Sequence, residues 1–530
     1  MNVQRRHLIE GAVSSLVVLA APNVGRSQAR NVLRFVPYVD LAILDPMINT
    51  ASQTRTHGYL VFDTLYGQDS EYRAQPEMVA GHQIENDYTI WHLTLRDGLR
   101  FHDDTPVLAR DVVASLKRWG AADPVGRALF SVVDEVAAPS DKTVIFRMKR
   151  PYRLLPDVLG KIAPSMACIM PERLANTPAT KAITELVGSG PFRFVADERV
   201  SGARVVYERF AGYVPRPGGG APGLTSGPKV VNVDRVEWIT MPEAGTAASA
   251  LQAGEIDWWE VPSPDLLPLL RKDRNLVTEV KDKTGVLPIL RFNSLQKPFD
   301  NQAIRRAAML AAQQQSFMEA FSSDRAQWRD RVGLFTPGTP MATDAGMDRF
   351  PAQPDLDAAK RAIAAAGYGG ERVVVMQPTD HPVNNVMAQV GADLFKRLGL
   401  NVDLQAMDAG TMFQRRANRD GVDKGGWSVF PSMVGGADCL NPAVSFLTRG
   451  NGADAWYGWP TIPLLETERA AWFDAPDIRL QRALCDQMQV AVLDNAPHIQ
   501  LGQILQPTAY RKNVTDVLEG FPKFWNVKKG

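Results

Sequence analysis

The chain has 530 residues, of which 45% are hydrophobic and 22% are charged, a composition typical of a soluble globular protein with several domain-sized units. Its 59 Lys and Arg residues are balanced by 58 Asp and Glu residues, so the formal net charge is +1. Neither sign is in excess, and this excludes nucleic acid and an anionic membrane as expected partners.

The first 29 residues have the order of an export signal. Arg5 and Arg6 precede a mostly apolar run from Ala12 to Ala21, and the small residues "SQA" predict cleavage near Ala29. The apolar run is too short to span a bilayer. The paired arginines resemble a twin-arginine signal, with an ordinary secretory signal as the alternative. Both interpretations predict a periplasmic protein.

The cysteine count argues against a disulfide framework. Cys168, Cys439 and Cys485 are far apart in the sequence, and an odd number leaves at least one thiol unpaired in a monomer.

Strand and helix patterns alternate along the mature chain. "NVLRFVPYV" predicts a strand, and "LDPMINTASQTRTHGYLVFDTLYG" predicts a turn followed by a helix. "YTIWHLTLRD" alternates with a period of two residues and ends at the turn Asp97-Gly98, so "LRFHDD" is expected to be its partner strand. Thr105 and Pro106 then predict the start of a helix that closes at Gly120. The chain is therefore expected to have a mixed α/β fold.

A βαβ unit is predicted in the second half of the chain. "ERVVVMQP" and "NVDLQAM" are two strands separated by the amphipathic helix "PVNNVMAQVGADLFKRLG", which ends at Gly399. The Pro/Gly-rich stretch "YVPRPGGGAPGLTSGPKV" predicts a long loop. Its G-x-G-x-x-G match is not a phosphate site, because Pro222 lacks an N–H and no strand or helix adjoins it directly.

The stretch "LRDGLRFHDDTP" is rich in acids and bases but does not predict a catalytic or metal site. Zinc needs three or four ligands, and no second His or Cys lies within a helical turn of His102. Asp103 and Asp104 are expected to shape a turn and cap the next helix. Since the chain also lacks H-E-x-x-H, C-x-x-C and G-x-S-x-G motifs, no catalytic residue, metal or cofactor is expected.

Five ordered motifs resemble the family 5 extracellular solute-binding proteins, the large receptors of peptide and nickel ABC importers. The run from Asp87 to Trp119 resembles the family signature, and "GSGPFRF", "ALQAGEID", "LRFN" and "PFD…IRRA" resemble further family motifs in the same order. The sequence departs from the family at Asp104, where the turn usually has glycine. The resemblance covers nearly the whole mature chain.

The resemblance implies an α/β, two-lobed periplasmic-binding-protein-like (type II) fold with an extra subdomain on the first lobe. The first lobe would comprise residues 30–62, 187–285 and 503–530, with 63–186 as the inserted subdomain and 286–502 as the second lobe. The hinges would be "VLPILRFN" and "APHIQLGQIL", and the lobes would close on a ligand held between them.

The implied function is that of a periplasmic substrate-binding protein of an ABC importer. A monomer would capture a small organic solute and deliver it to the permease subunits in the inner membrane, without acting as an enzyme. An exported hydrolase using the same cleft is the alternative. A hydrolase needs a nucleophile or metal with an oriented base, and the sequence offers no such constellation.

Positions shared with the family suggest the ligand contacts. Arg55 is the most informative of them, because a cleft arginine holds a carboxylate or phosphate through two parallel hydrogen bonds. For Asn49 and Thr54, a solvated loop residue is an equally good interpretation. The predicted set is Asn49, Thr54, Arg55, Ser165, Met166, Trp427, Phe430 and Asp438.

Phe430 bears on the solute class. In peptide-binding members of the family, an aspartate three residues after the tryptophan, here Trp427, pairs with the peptide ammonium group. Phe430 occupies that place and cannot neutralise a buried ammonium. We therefore predict an apolar cleft wall of Trp427 and Phe430, with ordinary lobe packing as the alternative, and a solute other than ordinary peptides. Asp438 is either a turn residue or a replacement ammonium partner.

Overall fold

The computed structural model describes residues 31–163, 165–218, 221–350 and 353–530. The export signal expected over residues 1–29 lies outside the described residues. Among the described residues, no helix is long and apolar enough to cross a membrane. The fold is α/β and two-lobed, and each lobe is built on one large mixed sheet.

The sheet of the first lobe, sheet I, has seven strands. Its central strand Val32–Val36 runs parallel to Arg235–Ile239 and to Trp258–Trp259, and the other pairings are antiparallel. The helices of this lobe are Ser52–Val61, Ala244–Ala253 and Leu267–Lys272. In spatial order the strands are Phe192–Phe194, Arg204–Arg209, Arg235–Ile239, Val32–Val36, Trp258–Trp259, Thr508–Arg511 and Leu276–Glu279.

The subdomain between the first helix of this lobe and strand Phe192–Phe194 contains a four-stranded antiparallel sheet. Three two-stranded pairs complete the β-structure of the first half and the tail: Asp63–Thr64 with Cys168–Ile169, Tyr66–Gln68 with Ala74–Pro76, and Val514–Thr515 with Lys528–Lys529. The subdomain strands are, in spatial order, Val79–Glu85, Ile90–Leu95, Thr143–Met148 and Val133–Ala137, and its helices are Ala109–Ala122, Pro124–Val132, Leu155–Leu159 and Glu172–Ala175.

The partner strand predicted for Ile90–Leu95 is wrong. This strand pairs with Val79–Glu85 and Thr143–Met148, while the expected partner "LRFHDD" forms only an isolated bridge between Arg100 and Pro106. The turn itself is as predicted, but the strand before it already has a neighbour on each side.

The next helix begins later than predicted. Its range is Ala109–Ala122, so Thr105 and Pro106 precede it, and it ends two residues beyond the expected position. The carboxylate of Asp111 accepts a hydrogen bond from the N–H of Leu108 at 2.9 Å, and this contact marks the true start of the helix.

The second lobe is built on a second seven-stranded sheet, sheet II. The predicted βαβ unit is confirmed: Arg372–Pro378 is parallel to Asn401–Met407, helix Pro382–Arg397 connects them, and Gly399 has the left-handed φ of +83° that ends the helix. The other strands are Trp328–Arg329, Gln503–Ile504, Val286–Phe292, Val429–Gly435 and His498–Gln500, and the other helices are Gln302–Ala311, Gln314–Phe321, Leu356–Ala365, Ala409–Arg415, Pro463–Asp474 and Ile478–Asn495.

The chain passes between the two sheets twice. It leaves sheet I after Leu276–Glu279 and enters sheet II at Val286–Phe292. It leaves sheet II after Gln503–Ile504 and returns to sheet I at Thr508–Arg511. The return therefore falls between residues 504 and 508, slightly after the expected boundary at 503.

Candidate functional site

A cavity of about 180 Å³ lies where the two sheets meet. Tyr38 and Glu260 line it from the ends of strands in sheet I, and Met433 lines it from sheet II. Asp282 and Gln506 line it from the two segments that cross between the sheets. Because both lobes and both crossings form its walls, hinge closure would change its shape directly.

Arg55 provides a positive charge on the first-lobe wall of this cavity. It lies in the first turn of helix Ser52–Val61, and its guanidinium carbon is 4.7 Å from the centre of the Phe521 ring. Its Nε is buried and has no hydrogen-bond partner, and no ion pair among the described residues includes it. The stacked guanidinium is thus positioned with N–H donors free to receive a planar anion.

Two acids face this arginine from different lobes. Glu260 accepts a hydrogen bond from the N–H of Tyr38 at 2.7 Å, and burial raises the pKa of its carboxyl. Asp438 is half-buried, and its Oδ1 is inaccessible and has no hydrogen-bond partner. Burial raises the pKa of Asp438 to about 6, while the positive charges of Arg55 and Lys161 act in the opposite direction. The structure therefore brings together Arg55 and Asp438, two of the predicted residues, without a direct ion pair between them.

The turn Gly436–Cys439 of the second lobe lies between this cavity and two others. The N–H of Gly436 donates to the carbonyl of Gly285 at 2.7 Å, so the turn is fastened to the first crossing. Ala437 lines all three cavities. One neighbour, of about 480 Å³, extends along the tail near Phe521, and the other, of about 160 Å³, lies between the subdomain and the second lobe.

Asn49 and Thr54 do not line the cavity that contains Arg55. The side-chain carbonyl of Asn49 accepts from the N–H of Ala51 at 2.8 Å, and the Thr54 hydroxyl donates to the carbonyl of Ile43 at 2.8 Å. Both side chains therefore fix the start of the helix that carries Arg55, and their contact with a solute stays a prediction.

Ser165 and Met166 are buried, and neither lines the cavity that contains Arg55. The Ser165 hydroxyl donates to Asp123 at 2.6 Å, and Asp123 also pairs with Lys161 at 3.0 Å. The Met166 sulfur packs against Gly58, where an added Cβ would lie only 2.6 Å from it. Met166 therefore packs the subdomain against the first lobe, while Ser165 bonds within the subdomain. A contact of either residue with a solute stays a prediction.

Trp427 and Phe430 are fully buried, each with 0% of its surface exposed. Their ring centres are 4.9 Å apart in an edge-to-face arrangement, and Trp456 and Trp459 complete the cluster at 5.5 Å from Phe430 and 5.9 Å from Trp427. Neither ring lines any of the three cavities described above, and both rings pack inside the second lobe. Their contact with a solute stays a prediction.

The residues of "FHDD" shape a turn as predicted, but they do not cap the next helix, because that helix begins at Ala109 and is capped by Asp111. His102 is buried with Nε2 at 3.0 Å from the carbonyl of Gly190, and burial lowers its pKa to about 4. Asp103 accepts from the N–H and the hydroxyl of Thr105 at 3.2 and 2.6 Å. Asp104 adopts a left-handed φ of +63°, at the place where glycine is usual in the family.

Several cavity residues were not predicted from the sequence. Glu260 directly follows the strand Trp258–Trp259, and Phe521 lies in the aromatic tail segment "GFPKFW". An acid at the end of a strand and an aromatic residue in the tail were visible signals. Neither indicates a site alone, because Glu260, Phe521 and Arg55 come from three distant parts of the chain.

The chain matches the family model for bacterial extracellular solute-binding proteins, family 5 Middle, over residues 73–454. It is 34% identical over 536 residues, covering 100% of each chain, to the "Probable peptide ABC transporter periplasmic-binding protein y4tO" of Sinorhizobium fredii. It is 26% identical to the "Glutathione-binding protein GsiB" of Pectobacterium atrosepticum, over 97% of this chain and 96% of the relative.

A solved structure shows the same fold. The periplasmic binding protein DppA of Helicobacter pylori, in complex with the peptide STSA, aligns with 94% of this chain and 98% of its own, with a TM-score of 0.76 and 18% sequence identity. At this identity, the similarity is evidence for the fold alone.

Proposed function

The chain belongs to the bacterial extracellular solute-binding proteins of family 5 and is a substrate-binding protein of an ABC importer; from this premise, we propose that its solute is an organic acid held by Arg55 between the lobes. The free donors of Arg55 carry the proposal. A buried N–H without a partner costs about 1–3 kcal/mol, and a carboxylate that accepts from this guanidinium removes that cost.

The cavity walls belong to different lobes, so we propose that the lobes close around the acid. Arg55 and Glu260 belong to the first lobe, while the turn Gly436–Cys439 belongs to the second. A solute that contacts both sides binds the closed form more tightly than the open one, and this difference in affinity shifts the protein towards closure. The closed, loaded form would be the one that delivers solute to the permease subunits.

The setting of this function is part of the proposal. We propose that residues 1–29 export the protein to the periplasm, where it acts as a monomer and not as an enzyme. We propose the same division into lobes as predicted from the sequence. The first lobe comprises residues 30–62, residues 187–285 and the tail, residues 63–186 form its subdomain, and the second lobe begins at residue 286. The pairing of Gln503–Ile504 in sheet II supports moving the final boundary to between 504 and 508.

A zwitterionic solute, such as a short peptide, is the second candidate. The observation that favours it is Asp438, whose inaccessible Oδ1 lacks a donor and whose pKa is raised to about 6. An ammonium group would supply both the donor and the compensating charge. The printed name of the y4tO relative, a probable peptide transporter component, agrees with this candidate.

Calorimetric titration with organic acids, short peptides and N-acetylated peptides tests both candidates. For an acid held by Arg55, Arg55→Ala lowers the affinity about 30-fold, equivalent to about 2 kcal/mol, and Arg55→Lys restores only part of it, because lysine cannot make the planar double contact. Asp438→Asn, in the turn Gly436–Cys439 of the second lobe, serves as the matched variant.

The outcomes separate the hypotheses. Unchanged affinity of Arg55→Ala for every ligand that binds the wild type contradicts the proposal. Peptide binding that disappears on N-acetylation and in Asp438→Asn establishes the second candidate instead. Mass spectrometry of the same mixtures tests the alternative that the protein is a hydrolase, because any product formed by the protein would show turnover.

A further inference from the structure

We infer that the cavity of about 160 Å³ between the subdomain and the second lobe is a separate chamber for an uncharged, ring-sized end of the solute. The inference rests on the proposed function for the position of the acidic end. We call this cavity the distal chamber.

Both sides of the distal chamber are apolar. The subdomain contributes Val158 and Ile162, and the second lobe contributes Met341, Val444 and Trp472, all of them buried. Apolar cavities of about 150 Å³ are large enough to bind benzene in a protein interior. The volume and the lining therefore fit a group of the size of a phenyl ring.

Two polar groups in the chamber have no oxygen or nitrogen partner. Gln481 is only 7% exposed, and its side-chain amide forms no hydrogen bond with the described residues. The indole N–H of Trp472 faces the Cys485 thiol and has no other acceptor within range. Buried polar groups normally have partners, so the Gln481 amide points to a ligand group that carries a hydrogen-bonding atom, while the indole N–H of Trp472 is directed at Cys485.

The charged lining residues are already engaged. Lys161 pairs with Asp123 at 3.0 Å, and Arg73 pairs with Glu71. The Asp157 carboxyl interacts with a backbone N–H of the neighbouring strand. Since no lining cation is left without a partner, the chamber is suited to an uncharged group, in contrast to the cavity at Arg55.

The position of the chamber implies an elongated solute. Ala437 borders both the distal chamber and the cavity at Arg55. The cavity of about 480 Å³ adjoins both, sharing Tyr72 and Ile162 with the chamber and Phe521 with the cavity at Arg55. A molecule with a carboxylate at one end and a neutral ring at the other would follow this path around the turn Gly436–Cys439.

Phenol, 4-phenylbutyrate and butyrate are suitable probes in calorimetric titrations of the full protein. Two variants fill the chamber from opposite walls, Val158→Trp from the subdomain and Val444→Phe from the second lobe, so that a folding failure of one leaves the other. Val200→Phe, at a valine that is 52% exposed, is the matched control.

We expect saturable phenol binding to the wild type, to Val200→Phe and to Arg55→Ala, with at least a tenfold loss in the filled variants. We also expect 4-phenylbutyrate to bind at least tenfold more tightly than butyrate, and this advantage to vanish when the chamber is filled. Absence of saturable phenol binding to the wild type, or equal binding by both filled variants, overturns the inference. Acid binding that is indifferent to Arg55→Ala, with phenol behaving as expected, contradicts the proposed function but not the chamber.

Discussion

The buried carboxyl of Asp438 makes the stability of the protein depend on pH. Burial raises its pKa to about 6, above the value of about 3.9 for a free aspartate. The folded protein therefore binds this proton more tightly than the unfolded chain does. The free energy of unfolding contributed by Asp438 is consequently lost as the pH rises from about 4 to about 6.

Asp438→Asn should stabilise the unliganded protein at neutral pH, because it removes a poorly compensated charge. We expect a gain of up to about 2 kcal/mol at pH 7.5 that shrinks towards zero at pH 4. Urea unfolding at the two pH values measures it, with the exposed Asp348→Asn as control. An equal effect of Asp438→Asn at both pH values would rule out this explanation.

Arg55 lines the cavity between the sheets, whereas its neighbour Thr54 does not, for a geometric reason. Successive residues of a helix point in directions about 100° apart. Thr54 therefore turns into the core beside Arg55, which lines the cavity. A family position fixes a segment of chain, while the side facing the cleft depends on packing that one sequence does not reveal.

Trp427, Phe430, Trp456 and Trp459 form an aromatic cluster inside the second lobe. Phe430 has no exposed surface and contacts two tryptophan rings. Its removal would leave a cavity inside the second lobe, which costs stability whatever the ligand is.

Phe430→Ala is expected to lower the free energy of unfolding by about 3–5 kcal/mol. Phe413→Ala, at a ring that is 41% exposed, should cost less than about 1 kcal/mol. Chemical denaturation measures both. A small loss of stability for Phe430→Ala together with a large loss of solute affinity would instead restore Phe430 to the cleft wall.

Secondary structure was predictable where the pattern was long and local. The βαβ unit around Pro382–Arg397 has a clear helical repeat, flanking strands and a glycine stop. The pairing of Ile90–Leu95 was not predictable in this way. Its neighbour Thr143–Met148 is more than 40 residues away, and a turn signal indicates where a strand ends but not which strand lies beside it.

In the molecule as a whole, exposed ion pairs connect the second lobe to the subdomain and to the first lobe. Arg150 of the subdomain pairs with Asp474 of the second lobe, and Arg271 of the first lobe pairs with Asp324 at 2.8 Å. Both pairs are largely exposed, and such pairs contribute about 0–1 kcal/mol each. They therefore adjust the balance between open and closed forms without determining it.

Arg150→Glu should shift the unliganded protein towards the open form, because it places two acids opposite each other. We expect the closed-to-open ratio to fall by a factor of about 2–5 at low salt, corresponding to up to about 1 kcal/mol. Small-angle scattering would show a larger radius of gyration, and adding Asp474→Arg should reverse the change. Lys142→Glu, which disrupts an exposed pair within the subdomain, is the control. An unchanged radius in Arg150→Glu at low salt contradicts the role of this pair.

The two-lobed arrangement was predictable because ordered family motifs extend over most of the chain, and the family match bears it out. The cavities were not. Their walls combine the subdomain, both crossings, the turn Gly436–Cys439 and the tail, and the distances among these parts depend on how the lobes meet.

Identification of the natural solute would show directly whether Arg55 holds an organic acid between the lobes. Protein isolated from its native cells would be denatured, and the released small molecule would be identified by mass spectrometry. The same compound would then be titrated calorimetrically into the wild type and Arg55→Ala. We expect an organic acid that binds the wild type in a 1:1 complex and loses about 30-fold in affinity in Arg55→Ala. A recovered solute without an anionic group, or one bound equally by Arg55→Ala, would contradict it.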